Sequence, residues 1–176
     1  VREQDKGEEH VADYIFKDVP QADQDEDAIE RTINAMDNNG VNIGLVTLMG
    51  TRAPIAAKAH PDRFLLCSPI DPNDVMGSVI KIRKDHFMHG IRAVSFFPSG
   101  CDPHVPIDDA KTYPIYATCV ELDLPIFINA GVPGPRVIGD SQNVSRFDPV
   151  CYDFPDLKVV MRHGAEPDEA LAVKLM

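Results

Sequence analysis

Short apolar runs alternate with longer amphipathic stretches along most of the chain. The runs are rich in Val, Ile, Leu and Phe, are closed by Gly, Pro or Asp, and cover residues 41–48, 64–70, 91–97, 124–129 and 158–163. Short, nearly continuous apolar runs of this kind are typical of parallel strands, which are buried on both faces. The pattern therefore predicts five buried strands in a parallel sheet.

Helices are predicted before, between and after these runs, over residues 25–38, 54–60, 73–87, 108–121, 149–154 and 166–176. The first opens with acidic residues, which favour a helix N-terminus, and stops at Asn39 and Gly40. In the third, Val75, Val79 and Ile82 recur at roughly helical spacing. Strands that alternate with helices predict an α/β fold with a parallel sheet.

The polar and conformationally unusual residues follow the ends of the predicted strands, at 49–50, 71–72, 98–99, 129–135 and 163–167. No glycine-rich nucleotide-binding motif follows any strand, so an open doubly wound sheet lacks its usual support. A TIM (β/α)8 barrel, in contrast, keeps its active site in these loops. We therefore predict a barrel that is incomplete, with about five βα units of the usual eight.

We divide the chain into an acidic leader over 1–24 and a partial barrel over 25–176. Because an uncapped helical pattern is still running at Met176, we expect either further chain or a partner that closes the sheet. Unpaired strand edges at 41–48 and 158–163 would otherwise favour aggregation.

Composition narrows the functional class. The chain has 17 basic and 28 acidic residues and a net charge of −11, so its surface repels phosphate backbones and nucleic acid is an unfavoured partner. The N-terminus lacks an apolar signal segment, and no apolar run approaches the ~20 residues of a membrane span. The four cysteines are widely spaced, which suggests reduced thiols. We expect a cytoplasmic protein without a membrane partner.

An ordered series of segments resembles the amidohydrolase-related proteins, the amidohydrolase 2 group that includes aminocarboxymuconate semialdehyde decarboxylase. The segments are HPDRF at 60–64, HGIRAV at 89–94, YPIY at 113–116, ELDLPI at 121–126 and FPDLKVVMRHG at 154–164. The resemblance covers roughly residues 28–176. It implies a metal-dependent hydrolase or decarboxylase built on a TIM barrel.

The resemblance also implies roles for two residues at the barrel mouth. His163 matches the family's histidine after the sixth strand, which activates water or handles protons. Asn129 takes the place of the family's fifth-strand histidine, a metal ligand, within PIFINAG at 125–131. The fourth-strand polar side chains are replaced in VSFFP at 94–98. The family's His-x-His pair and late Asp belong to strands that this chain does not contain.

The ligand set is therefore incomplete, because a catalytic metal needs about three His or carboxylate ligands and an amide oxygen is a weak ligand for zinc. We assign no metal ligand with certainty. A divalent metal, Zn or Mn, is expected at most in the full-length protein.

Other residues near the predicted mouth are candidates for substrate binding. Asn129 either orients substrate or makes a structural hydrogen bond, and Arg136, in a stiff Gly-Pro loop, either binds a substrate carboxylate or is simply solvated. Glu166 is a possible carboxylate partner for His163. Arg162 precedes His163 on the strand and is expected to face the surrounding helices instead. His163 itself is either a general acid/base or a core histidine bonded to a carbonyl.

Two functional hypotheses remain open. The first is an enzyme that hydrolyses or non-oxidatively decarboxylates a small carboxylated or cyclic substrate, with a homo-oligomer as a candidate working form. The second is a non-catalytic barrel that acts as a binding or oligomerisation scaffold after the metal site decayed. A phosphate-binding barrel isomerase is weaker, because the chain shows no glycine-rich phosphate loop.

Overall fold

The computed structural model describes residues 27–176. The acidic leader that the sequence predicts over 1–24 lies outside the described residues. The described part contains a single parallel sheet with helices packed on one of its faces.

Five strands form the sheet in the order in which they occur along the chain. They are β1 (Gly44–Thr47), β2 (Phe64–Pro69), β3 (Ala93–Phe96), β4 (Ile126–Asn129) and β5 (Val159–Arg162). All four neighbouring pairs are parallel. A doubly wound sheet reverses its strand order at a switch point, whereas a barrel adds each strand beside the previous one. The topology therefore confirms the barrel-type prediction, with five βα units in the described residues.

All six predicted helices are present, with shifted boundaries. They are α1 (Ala28–Asn38), α2 (Arg52–Ala59), α3 (Val75–His89), α4 (Tyr113–Glu121), α5 (Phe147–Asp153) and α6 (Glu169–Leu175). The Asp74 carboxylate caps α3 by accepting from the Gly77 N–H at 2.9 Å, and Gly90 ends it with a left-handed backbone at φ 60°. The fourth helix begins later than predicted, because the segment before Tyr113 forms turns that are held by the Thr112 hydroxyl.

The hydrophobic core lies between the sheet and the helices. Val94, Ile126 and Ile128 point to this side of the sheet and are fully buried. Tyr116 of α4 packs in the same cluster and donates its hydroxyl to the Ile107 carbonyl at 2.7 Å. The buried phenol is thereby satisfied, which offsets the cost of burying a polar group.

The opposite face of the sheet, the inner face, is open within the described residues. Strand register places its side chains in rows, among them Thr47 beside Cys67 and Phe127 beside Val160. Leu45 is 40% exposed and Val160 is 37% exposed. The prediction of strands buried on both faces therefore fails at β1 and β5, because these are the edge strands and no described residue covers their inner face.

No helix of the part of the chain that the structure describes combines the length and the apolar character needed to cross a lipid bilayer.

Candidate functional site

Two adjoining cavities lie on the inner face and at the carboxyl ends of the strands. The inner-face cavity, about 440 Å³, is lined by Leu45, Thr47, Cys67, Ser95, Phe127, Val160, Arg162 and His163. The mouth cavity, about 420 Å³, is lined by residues of the loops after β2 and β3, including Asp71, Cys101 and Asp102, together with Ser95 and Arg162. Ser95 and Arg162 line both cavities. Both volumes are in the range of small-molecule sites.

His163 lies directly after β5 and lines the inner-face cavity. On a regular strand it would point away from this face, because its neighbour Arg162 points toward it. The backbone departs from the strand here, with φ values of 62° at His163, 67° at Gly164 and 60° at Ala165. Left-handed backbone is unfavourable for His and Ala and is often found at functional sites. The exposed His163 imidazole thus reaches the cavity from a strained turn.

Asn129 ends β4 and is paired in register with Arg162. Its side chain is 9% exposed, and its Oδ1 atom is buried without a hydrogen-bond partner among the described residues. An unsatisfied buried amide oxygen costs about 1–3 kcal/mol, so this position favours a polar group that arrives from elsewhere. That Asn129 orients substrate stays a prediction.

The loops after β4 and β5 are joined through their backbones. The Val132 N–H donates to the Glu166 carbonyl at 2.8 Å. Gly131 and Gln142 exchange two bonds: the Gly131 N–H donates to the Gln142 carbonyl, and Gln142 Nε2 donates to the Gly131 carbonyl, each at 3.0 Å. Gln142 Oε1, also buried, has no partner among the described residues. These bonds make the mouth rim a connected unit.

The structure places the two remaining predicted substrate-binding residues at the surface of this rim. Arg136 and Glu166 are both exposed. Within residues 27–176, neither side chain forms an ion pair, and Glu166 makes no hydrogen bond to His163 through its carboxylate. Their roles in substrate binding remain predictions.

Arg162 corrects one expectation, since it was assigned to the helix-facing side of β5. Its register with Asn129 and its place in both cavities put it on the inner face instead. The error came from taking His163 as a regular strand residue. Side chains alternate along a strand and Val159 packs against the core, so Val160 and Arg162 face the opposite, inner side.

The sequence does not identify Cys67 and Ser95 as pocket residues, because nothing in a short apolar strand distinguishes them. Asp71, in contrast, belongs to the predicted mouth loop at 71–72, and the structure places Cys101 beside it. Burial raises the pKa of the Cys67 thiol, while a hydrogen bond with Ser95 and the charge of Arg162 oppose the rise. Burial, and then the charge and hydrogen bond of Asp71, raise the pKa of Cys101 to about 12. Both thiols are therefore poor nucleophiles near neutral pH.

The described residues do not by themselves fit a catalytic metal. Residues 27–176 contain no group of three His, Cys, Asp or Glu side chains placed to hold an ion. Asn129 at the end of β4 offers only a buried neutral oxygen. The cavity-lining His163 is one donor, where a catalytic site needs about three.

His86 and His89, which have a spacing that can bind metal, lie at the C-terminal end of α3, before β3 begins. This is the amino-end side of the strands, opposite the mouth. Because barrel chemistry takes place at the carboxyl ends of the strands, we assign these histidines no part in it.

Three solved structures illustrate the similarity of the fold. An uncharacterised TIM-barrel protein of Bordetella bronchiseptica matches with 24% identity and a TM-score of 0.71, over 84% of this chain and 55% of that protein. The 5-carboxyvanillate decarboxylase of Novosphingobium aromaticivorans matches with 17% identity and a TM-score of 0.64, over 82% of this chain and 52% of the enzyme. That enzyme was solved with manganese and 4-hydroxy-3-methoxy-5-nitrobenzoic acid.

The third structure is 4-oxalomesaconate hydratase of Rhodopseudomonas palustris, with 17% identity and a TM-score of 0.61, over 89% of this chain and 57% of the hydratase. The chain thus spans little more than half the length of each of these proteins. At such identities the likeness establishes the TIM-barrel fold.

Comparison with curated proteins yields no match. The family model described as amidohydrolase matches residues 4–176, nearly the whole sequence. Together with the barrel topology and the placement of His163 at the mouth, this match establishes that the chain belongs to the amidohydrolase family.

Proposed function

We propose that the protein is an enzyme that hydrolyses or non-oxidatively decarboxylates a small carboxylated or cyclic substrate, with His163 as the group that transfers the proton. The observation that carries the proposal is the left-handed turn after β5, which turns His163 into the inner-face cavity. Two structurally similar barrels, a decarboxylase and a hydratase, support the same class of reaction.

His163 suits both reactions because imidazole accepts and donates protons near neutral pH. In hydrolysis it would take a proton from the attacking water. In decarboxylation it would donate the proton that replaces the departing CO₂ on carbon. Asn129 would line the pocket beside it, and the rim residues Arg136 and Glu166 would contact the substrate as it enters.

The proposal includes a divalent metal, Zn or Mn, only for the whole protein. Its ligands would have to come largely from outside residues 27–176, because the described residues form no three-ligand group. We therefore derive no step of the reaction through a metal.

The test compares two histidine variants of the whole protein. With 5-carboxyvanillate and related aromatic carboxylates as substrates, we expect His163→Ala to lower kcat by about 10²–10⁴-fold, the usual contribution of a positioned acid/base. His86→Ala removes an exposed imidazole from the opposite end of the strands and should leave kcat unchanged. Unaltered kcat in His163→Ala would refute the role of His163.

A second candidate function is a non-catalytic binding or oligomerisation scaffold. The specific observation that favours it is Asn129, a neutral and buried residue at the position of a family metal ligand. Elemental analysis of the purified whole protein separates the two functions. Stoichiometric Zn or Mn contradicts the scaffold, and metal-free protein that turns over none of the carboxylates supports it.

A further inference from the structure

The proposed function assigns no role to Arg162. It is the last residue of β5, it points to the inner face, and it lines both cavities. Its side chain forms no hydrogen bond or ion pair with any of residues 27–176, although Asp71 and Asp102 line the mouth cavity with it. A guanidinium is therefore presented to the space where a ligand would lie.

Three arginines of the described residues are held by carboxylates. Arg63 bonds Asp37 at 2.6 Å, and Arg83 bonds both oxygens of Glu121 at 2.7 and 2.6 Å. Arg146 bonds two aspartates. A paired arginine has a structural explanation within the fold. Within residues 27–176, Arg52, Arg92, Arg136 and Arg162 form no ion pair. Arg162 differs from the other three because it lines both the inner-face cavity and the mouth cavity.

The surroundings of Arg162 define what it would bind. On the inner face the neighbouring wall is apolar, formed by Leu45, Phe127 and Val160. Ser95 adds a hydroxyl that is shared by both cavities. The lining of the inner-face cavity contains no carboxylate among the described residues. An apolar wall beside a guanidinium complements a ligand with an apolar ring and an anionic head.

We propose that Arg162 is a specificity-determining residue that binds the carboxylate of a ring-containing substrate against the apolar wall of the inner-face cavity. The planar guanidinium has the geometry to hold both carboxylate oxygens in a bidentate pair. The inference deepens the proposed function and rests on it, since it names the substrate group that the site recognises. It also assigns carboxylate binding to Arg162 of β5 instead of to the exposed rim residue Arg136.

The register of β4 and β5 supports the same assignment. Arg162 lies beside Asn129, whose Oδ1 atom is buried without a partner. Asn129 and Arg162 are the last inner-facing residues of β4 and β5. Phe127 and Val160 are the inner-facing residues two positions earlier on the same strands. His163, the proposed proton donor, follows Arg162 in the chain and lines the same cavity. A ring carboxylate held by Arg162 would therefore lie within the cavity that His163 reaches.

The experiment measures binding, not turnover, with benzoate and its neutral isostere benzamide as probes of the whole protein. By isothermal titration calorimetry, we expect the wild type to bind benzoate at least tenfold more tightly than benzamide. Arg162→Gln should abolish that preference. Arg162→Lys should keep part of it, because an ammonium retains the charge but lacks the fork of donors.

The matched control is Arg92→Gln, which removes an exposed arginine next to the amino end of β3 and should keep the full preference. Thermal unfolding verifies that Arg162→Gln remains folded, as expected for an exposed side chain that makes no hydrogen bond or ion pair with residues 27–176. Equal binding of the two probes by the wild type, or no detectable binding of benzoate, overturns the inference. So does a preference that survives in Arg162→Gln.

The inference and the proposed function fail in different ways. If the benzoate preference depends on Arg162 but His163→Ala leaves turnover intact, the anion site stands and the role of His163 falls. If His163→Ala abolishes turnover while Arg162→Gln binds benzoate like the wild type, only the assignment of Arg162 is overturned.

Discussion

At the scale of single residues, the mouth depends on backbone conformations that few side chains tolerate. Three consecutive left-handed residues follow β5, and of these only Gly164 is of a type that adopts the conformation freely. Gly131 has φ 79° in the facing loop. The sequence predicted a stiff loop around Gly131 from its glycines and prolines, but the turn at His163 carries no comparable pattern.

Gly131→Ala should destabilise the protein by more than the strain of the left-handed backbone at this position. A Cβ at this position would lie 2.1 Å from the Glu166 carbonyl oxygen, which accepts the bond that joins the two rim loops. We expect the free energy of unfolding to fall by about 3 kcal/mol, from left-handed strain plus the lost hydrogen bond. Urea denaturation provides the measurement.

Gly90→Ala is the matched control for this prediction. Gly90 has a similar left-handed φ of 60°, but an added Cβ would meet nothing within 4 Å. Strain alone should therefore cost about 1–2 kcal/mol. Equal losses of stability in the two variants would contradict the close contact between the rim loops.

The buried thiols predict a fall in stability at alkaline pH. Burial raises the pKa of Cys119 to about 12, whereas an unfolded cysteine ionises near pH ~8.5. Because the folded-state pKa is raised, the stabilisation is fully present below ~8.5 and is lost as the pH rises toward 12. Each such thiol adds a slope of about −1.4 kcal/mol per pH unit in that window.

Urea titrations between pH 8 and pH 10 test this prediction in the wild type and in Cys119→Ala. The variant loses one buried thiol, so its free energy of unfolding should decline less steeply with pH. Parallel declines would show that Cys119 ionises equally in the folded and unfolded chain.

At the scale of elements, a polar network joins β2 to α3 on the helix-facing side of the sheet. The Ser68 hydroxyl donates to Asp85 Oδ2 at 2.6 Å, and the Lys81 ammonium donates to Asp85 Oδ2 at 2.5 Å and to Ser68 Oγ at 2.7 Å. Ser68 and Asp85 are buried. The hydrophobic periodicity predicted α3 but not these contacts, since they join residues that meet only when helix and strand pack.

Asp85→Asn should cost about 2 kcal/mol of the free energy of unfolding, because it weakens two charge-assisted hydrogen bonds at a buried position. Glu121→Gln is the comparison, since it weakens the bidentate pair with Arg83 between α3 and α4. Both of those side chains are about half exposed, so that loss should be smaller than the loss in Asp85→Asn. Chemical denaturation of both variants gives the two values, and a larger cost for Glu121→Gln would contradict the importance of burial.

At the scale of the whole molecule, the described chain supplies one side of a barrel. The sheet has edges at β1 and β5, and apolar side chains of both strands are exposed on its inner face. The chain spans 55%, 52% and 57% of the length of three structurally similar proteins. Metal binding therefore depends on which residues besides 27–176 reach the mouth.

A polypeptide limited to residues 1–176 should retain far less than one equivalent of Zn or Mn after dialysis, measured by elemental analysis. The reason is that residues 27–176 contain no group of three His, Cys, Asp or Glu side chains suitable for an ion. Asn129→His should not raise the content to one equivalent, because it adds only one donor beside His163. A stoichiometric metal in the unsubstituted polypeptide would contradict this prediction.

The pattern of apolar and polar residues by itself determined the helices, the strands and their parallel arrangement, because these depend on interactions that are local or repeat along the chain. The position of His163 at a barrel mouth followed from the same pattern and from the family resemblance. Only the tertiary structure decided which side chains meet there. Strand register put Arg162 beside Asn129 on the inner face, and the left-handed turn brought His163 to the same cavity. Both depend on contacts between distant segments, which no local pattern in the sequence encodes.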